Sequence, residues 1–218
     1  MKKIQIYFMP GLGANSKIFE HISLPKDQFE IHLLEWKIPV SEDESIKDYA
    51  QRMAYEIKHQ NPVLLGVSFG GVLVQEIAKI IAVKKIILVS SIKSHHEFPN
   101  RLKLLQKTKA YKFFPTKIIE NFDKYKKYFL GDFLKKRADL YTLYLSVNDA
   151  LYLKWAIYTL LHWQQDKISE NILHIHGNND HVFPSKHIHN FTQINNGSHV
   201  MILLKANEIS TIIYKNLT

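Results

Sequence analysis

The residues best suited to chemistry are a serine, an aspartate and a histidine, each in a loop with glycine close by. Ser68 stands in Gly66-Val67-Ser68-Phe69-Gly70, a complete G-x-S-x-G pattern. Asp180 stands in His176-Gly177-Asn178-Asn179-Asp180-His181-Val182-Phe183-Pro184, and His199 in Gly197-Ser198-His199-Val200-Met201. A hydroxyl becomes a nucleophile when a base takes its proton, and the base needs an acidic partner to fix its tautomer and stabilise the imidazolium. Acyl transfer is the chemistry such a trio performs. Each member alone has a plainer reading: a turn with a solvated serine, a helix-capping aspartate, an ordinary loop histidine.

These loops need elements to position them. Before Ser68, Val63–Val67 is a short uncharged apolar run, the pattern of a buried strand. After it, Val72, Leu73, Val74, Ile77, Ala78, Ile80 and Ile81 continue as a mostly buried helix. A strand–turn–helix context is the one in which G-x-S-x-G places a strained, exposed serine at a helix N-terminus. Side chains at Gly66 or Gly70 would make the two backbones collide. Strands are also predicted at Ile4–Met9, 29–36, 85–90, 172–176 and 191–195, and helices at 46–59, 186–190 and 206–217. The alternation predicts an α/β fold with a mostly parallel sheet covered on both faces. Open sheets of this kind place their sites at the carboxyl ends of strands. The loop Pro10-Gly11-Leu12-Gly13, Ser68, Asp180 and His199 all fall there.

From 92 to 167 the alternation stops, and only helical periodicity is found, with helices predicted at 102–113, 116–129, 133–145 and 151–164. Residues 1–91 and 168–218 therefore form the core, and 92–167 an inserted helical cap. The insertion carries fifteen Lys or Arg against seven Asp or Glu, a balance of +8 within a chain whose net charge is +9. It also holds many aromatics, among them Tyr144, Trp155, Tyr158 and Trp163. Amphipathic helices in a lysine-rich chain would look like this. So would an apolar pocket beneath a positive surface that attracts anionic substrates. Nucleic acid is a poor fit, because no DNA- or RNA-binding motif accompanies the charge.

Other features narrow the class. At 218 residues the chain suits one domain with an insertion, and it has no apolar run long enough to span a bilayer. The stretch after Lys2-Lys3 is short and runs into Pro10-Gly11 without a small-residue cleavage site, so a cytoplasmic protein is expected. There is no cysteine. His174, His176, His181, His187 and His189 crowd one stretch, but no carboxylate stands at metal-ligand spacing, so no metal is expected there. His176 is expected beneath the acid loop as a structural residue, and His95-His96 as a solvated pair near the pocket mouth.

With these motifs in hand, the chain closely resembles the α/β-hydrolase superfamily over nearly its whole length. The family's acid loop commonly reads His-Gly-x-x-Asp-x-x-x-Pro, and its histidine loop Gly-x-His followed by apolar residues. Its order is Ser, Asp, His. Its oxyanion loop commonly begins His-Gly, whereas this one begins Pro10-Gly11 and keeps the glycine. The resemblance implies Ser68, Asp180 and His199 as catalytic residues, with Leu12 and Phe69 N–H groups as the oxyanion hole. Gly11, Gly66 and Gly70 would be the loop and elbow glycines. It also implies a cap after the family's sixth strand and about six strands here instead of eight. Some members carry the acid after that sixth strand, where this chain has Ser90-Ser91-Ile92-Lys93 and no carboxylate.

The expected activity is cofactor-free hydrolysis of a small carboxylic ester or thioester, whether neutral, anionic or carrier-bound. Membrane contact is not expected. A serine nucleophile argues against the family's dehalogenases, which use aspartate. Lyases and C–C bond hydrolases use the same trio, and a binding protein could keep the fold with little turnover. These alternatives stay open on sequence, as does the oligomeric state.

Overall fold

A computed structural model describes residues 3–113 and 143–218. Six strands form one sheet in which every pair is parallel, in the order β2-β1-β3-β4-β5-β6. They are β1 (Ile4–Met9), β2 (Phe29–Leu33), β3 (Val63–Val67), β4 (Lys85–Val89), β5 (Ile172–Gly177) and β6 (Thr192–Ile194). The described helices are α1 (Ile46–Ala54), α2 (Phe69–Ile77), α3 (Asn100–Thr108), α4 (Ala150–His162), α5 (Met201–Leu204) and α6 (Ala206–Leu217). None of them is long and apolar enough to cross a membrane.

Alternate strand side chains supply two separate cores, because successive residues of a strand face opposite sides of the sheet. Leu64, Ile86 and Leu88 point to one side, where Tyr49 and Met53 of α1, Phe69 and Leu73 of α2, and Trp155 of α4 pack. Val63, Leu65, Ile87 and Val89 point to the other, where Ile209 and Ile213 of α6 and Phe19 pack. With both faces covered, the strands read as continuous apolar runs. The helix α4 contributes buried Tyr152, Leu153, Trp155 and Ala156 to the first core. Its start is capped by Asp149, whose Oδ1 accepts the Tyr152 N–H at 2.9 Å.

Several elements end earlier than periodicity predicts, and competing hydrogen bonds explain why. The helix 46–59 stops at Ala54, because the Tyr7 hydroxyl takes the Lys58 N–H at 3.1 Å and meets His59 Nδ1 at 2.7 Å. The helix 102–113 breaks after Thr108, where Lys109 adopts φ 56° and only a tight turn, Ala110–Phe113, follows. The strand 29–36 ends at Leu33, and Trp36 turns inward to reach Gly11. The stretch 186–190 holds only the short turn Ser185–His187. The predicted helix 116–129, and most of 133–145, lie outside the described residues.

The strand order reverses between β1 and its neighbours: the chain pairs β2 on one side of β1 and β3 on the other. Such a switch point opens a crevice outside the carboxyl ends of the strands. The loops leaving β1 and β3 carry Gly11 and Ser68.

Candidate active site

Ser68 follows β3 and stands at the N-cap position of α2 with φ 52° and ψ −120°, a positive-φ conformation that costs a non-glycine residue about 1–3 kcal/mol. Its glycine neighbours are a steric necessity. A methyl on Gly66 would land on the Gly70 backbone, and one on Gly70 would land on the Pro10 carbonyl. The strand, the helix and the β1 loop are thus in backbone contact. The carbonyl of Ser68 accepts the Ser91 hydroxyl at 2.7 Å, and its N–H donates to Val89 O at 3.0 Å. The turn is therefore held from β4 as well as from within.

His199 and Asp180 complete a hydrogen-bonded chain. A carboxylate only accepts, so the 2.9 Å contact between His199 Nδ1 and Asp180 Oδ2 makes Nδ1–H the donor. Nε2 is then the acceptor for the Ser68 hydroxyl, 3.0 Å away. Asp180 is buried, and its other oxygen accepts the N–H groups of Val182 at 2.7 Å and Phe183 at 2.9 Å. Burial raises the Asp180 pKa. The charge of His199, its hydrogen bond, the charge of His176 and the Phe183 N–H outweigh that and leave it below the usual value. The edge of the Phe183 ring packs on the His199 imidazole at 5.6 Å. The arrangement can move a proton from hydroxyl to imidazole while the carboxylate balances the charge formed.

The loop after β1 lies beside the serine. The position a methyl would take on Gly11 is 3.5 Å from Ser68 Cβ. Leu12 N–H and Phe69 N–H, the two groups expected to bind an oxyanion, donate to no acceptor among the described residues. The loop itself is tightly braced. Trp36 Nε1 donates to Gly11 O at 2.8 Å, and Gly13 N–H donates to the Tyr152 hydroxyl at 3.3 Å. The Trp36 ring stacks on Phe69 at 5.1 Å and 9°. The segment entering α4 runs along the loop, with Val147 N–H bonded to Gly13 O and Asn15 N–H to Tyr144 O, at 3.1 and 2.9 Å.

Sequence reasoning missed Trp36, Tyr152 and Ser91. The contact of Ser91 with Ser68, 23 residues away, has no local signature. Arg101 was also missed: it donates to the carbonyl oxygens of Val182, at 2.9 Å, and His181, and so fastens α3 to the acid loop. His176 lies beneath that loop as expected, buried and donating from Nε2 to Phe183 O at 2.8 Å. His174 donates likewise to Ser91 O at 3.1 Å. Burial lowers the pKa of both imidazoles, more strongly for His174.

Together the all-parallel sheet, its switch point and the loops at its carboxyl edge define the class. The chain has the α/β-hydrolase fold. Solved structures similar to it include a thermophilic esterase from Thermogutta terrifontis, 14% identical with a TM-score of 0.72, covering 99% of this chain and 90% of that one. An enol-lactonase from Burkholderia xenovorans LB400 is 11% identical with a TM-score of 0.69, covering 100% and 92%. A bromoperoxidase from Bacillus anthracis is 14% identical with a TM-score of 0.65, covering 99% and 92%. No family model matches the chain, and no curated protein does.

Proposed function

We propose that the protein is a serine hydrolase that cleaves a carboxylic ester or thioester through an acyl-enzyme. The observation that carries this reading is the unbroken chain from Ser68 Oγ through His199 to Asp180, with contacts of 3.0 and 2.9 Å. It ends on a serine held at φ 52° above a helix N-terminus. Ser68 Oγ attacks the carbonyl carbon as its proton passes to His199 Nε2. The negative oxygen that forms is held by the N–H groups of Leu12 and Phe69. One such donor is worth about 3 kcal/mol in a transition state. The imidazolium then protonates the leaving alcohol or thiol. Water, deprotonated by His199, releases the acid and restores the serine. Asp180 stays ionised throughout and holds the imidazole in register.

The esterase and enol-lactonase among the fold's neighbours lend the reading support as analogy only. An anionic or carrier-bound substrate is part of the proposal, on the strength of the basic insertion. So is a cytoplasmic location, on the absence of cysteine and of a spanning segment in the sequence. The test is labelling with a fluorophosphonate, followed by turnover of p-nitrophenyl esters of increasing acyl length. Covalent labelling of wild type but not of Ser68→Ala, with turnover lost in that variant, is expected. An unlabelled wild type, or a Ser68→Ala variant that still turns over, ends the proposal. A labelled protein that cleaves no ester or thioester would point to the C–C hydrolase, lyase or binding alternatives.

A further inference from the structure

Away from Ser68, one group of side chains among the described residues converges as metal ligands do. His95 and His96 lie in the turn His95–Glu97, where the chain leaves β4 for the insertion. Asp166 lies where it comes back toward β5. One ligand atom from each lies within 4.8 Å of the other two. Asp166 Oδ1 is 3.2 Å from His96 Nε2 and 3.8 Å from His95 Nε2. Zn²⁺ with ligand bonds near 2.1 Å sets tetrahedral ligand atoms roughly 3.4 Å apart. Of the three pairs, His96–Asp166 already has that spacing, His95–Asp166 needs a shift of a few tenths of an ångström, and the two imidazole nitrogens lie within 4.8 Å of each other.

Three features separate this group from an ordinary surface ion pair. First, the two imidazole rings lie against each other, tilted by 40° with centroids 3.9 Å apart, and both Nε2 atoms turn to the same carboxylate oxygen. Second, His95 is oriented from behind. Its Nδ1 lies 3.2 Å from the Gln165 carbonyl oxygen, and donating Nδ1–H there leaves the Nε2 lone pair for a metal. The Gln165 N–H lies at the same distance and serves the other tautomer. Gln165 is itself buried, with Nε2 donating to Gln75 Oε1 and Lys93 O at 2.8 Å each, and its carbonyl accepting from Ser94 Oγ at 2.6 Å. Third, the ligand side is open: the side chains of His96 and Asp166 are 71% and 83% exposed, so an ion can reach them from solvent.

We propose that His95, His96 and Asp166 bind one divalent transition-metal ion, Zn²⁺ by donor chemistry, with water completing its shell. Two imidazoles and a carboxylate suit Zn²⁺ and leave an open position. The ion would clamp together the two places where the insertion joins the sheet. The proposal does not depend on the hydrolase reading, and its test needs no activity.

Isothermal titration of the full chain with Zn²⁺ is expected to give one site. Both His96→Ala and Asp166→Asn should weaken it at least about 10-fold, and the double variant should lose it. Both side chains are exposed, so these variants keep the fold, which circular dichroism checks. His181→Gln/His189→Gln, which removes two other exposed histidines, should bind as wild type does. Co²⁺ in place of Zn²⁺ should give visible absorption that vanishes in the double variant. Zn²⁺ should also raise the Tm of wild type and not of the double variant, because an ion that binds only the folded chain stabilises it. Wild type that takes up no Zn²⁺, or a double variant that binds as tightly as wild type, overturns the proposal.

Discussion

Asp180 shows how much of a site is decided by single atoms. Its Oδ2 accepts from the imidazole while its Oδ1 is already committed to two backbone N–H groups, so the carboxylate has one orientation. Asp180→Asn keeps the shape but offers an amide where an acceptor is needed, which favours the wrong imidazole tautomer. The expected result is a fall in kcat of about 10⁴-fold with little change in folding, measured by steady-state kinetics and urea melts. A loss under tenfold would mean that His199 is oriented by something else. The three residues of this chain were legible because each sits in a short motif with glycine nearby. Trp36 and Tyr152 were not. Their partners, Gly11 and Gly13, are far away in sequence, and a tryptophan or tyrosine in an apolar pattern reads only as core.

At the scale of elements, the β1 loop is held between Trp36 and α4. Tyr152→Phe removes the acceptor of the Gly13 N–H and leaves that group unsatisfied in a buried place. Such a loss costs about 1–3 kcal/mol. A lower urea midpoint should come with a kcat that falls more than KM rises, since the loop carries the Leu12 N–H. Unchanged kcat would remove Tyr152 from the positioning of that loop. The strand β5 makes a different prediction. Burial first, then the charges of His176 and Lys93, hold the His174 imidazole well below its ordinary pKa. The unfolded chain binds that proton below about pH 6.5 and the folded chain does not. Stability is therefore present above pH 6.5 and is lost as the pH falls, by up to about 1.4 kcal/mol per pH unit for this group. His174→Gln, whose amide can still donate to Ser91 O, should flatten the decline between pH 7 and 5 in urea melts. An equal slope in the variant would assign the decline to other groups. Element order and a mostly parallel sheet were legible from alternating apolar runs and helices; that every pair is parallel was not. Element ends were not, because Tyr7, Trp36 and Lys109 redirect the chain through contacts and torsions that periodicity does not encode.

At the scale of the whole molecule, the net charge of +9 makes association with anions a long-range effect. Salt screens such attraction over about 8–10 Å. If the substrate is anionic, kcat/KM should fall as salt rises to physiological strength, while a neutral ester of the same acyl group changes little. Equal salt dependence for both esters would reduce the basic insertion to a solvated surface. Its clusters, Lys124-Tyr125-Lys126-Lys127 and Lys135-Lys136-Arg137, lie outside the described residues. The position of the insertion has a separate consequence, in time. β4 ends at Val89 and its partner β5 begins at Ile172, so these neighbouring strands can pair only after a very long loop has closed. Closing it costs little more at equilibrium, since doubling a loop adds about 0.6 kcal/mol, but non-local pairings are slow to form. Ser68 and the loop after β1 lie before that junction, while Asp180 and His199 lie after it. In refolding from urea, fluorophosphonate reactivity should return later than the bulk of the helical signal, because the proposed nucleophile is in place before the histidine proposed as its base arrives. Simultaneous recovery would mean that β4 and β5 meet early despite the residues between them.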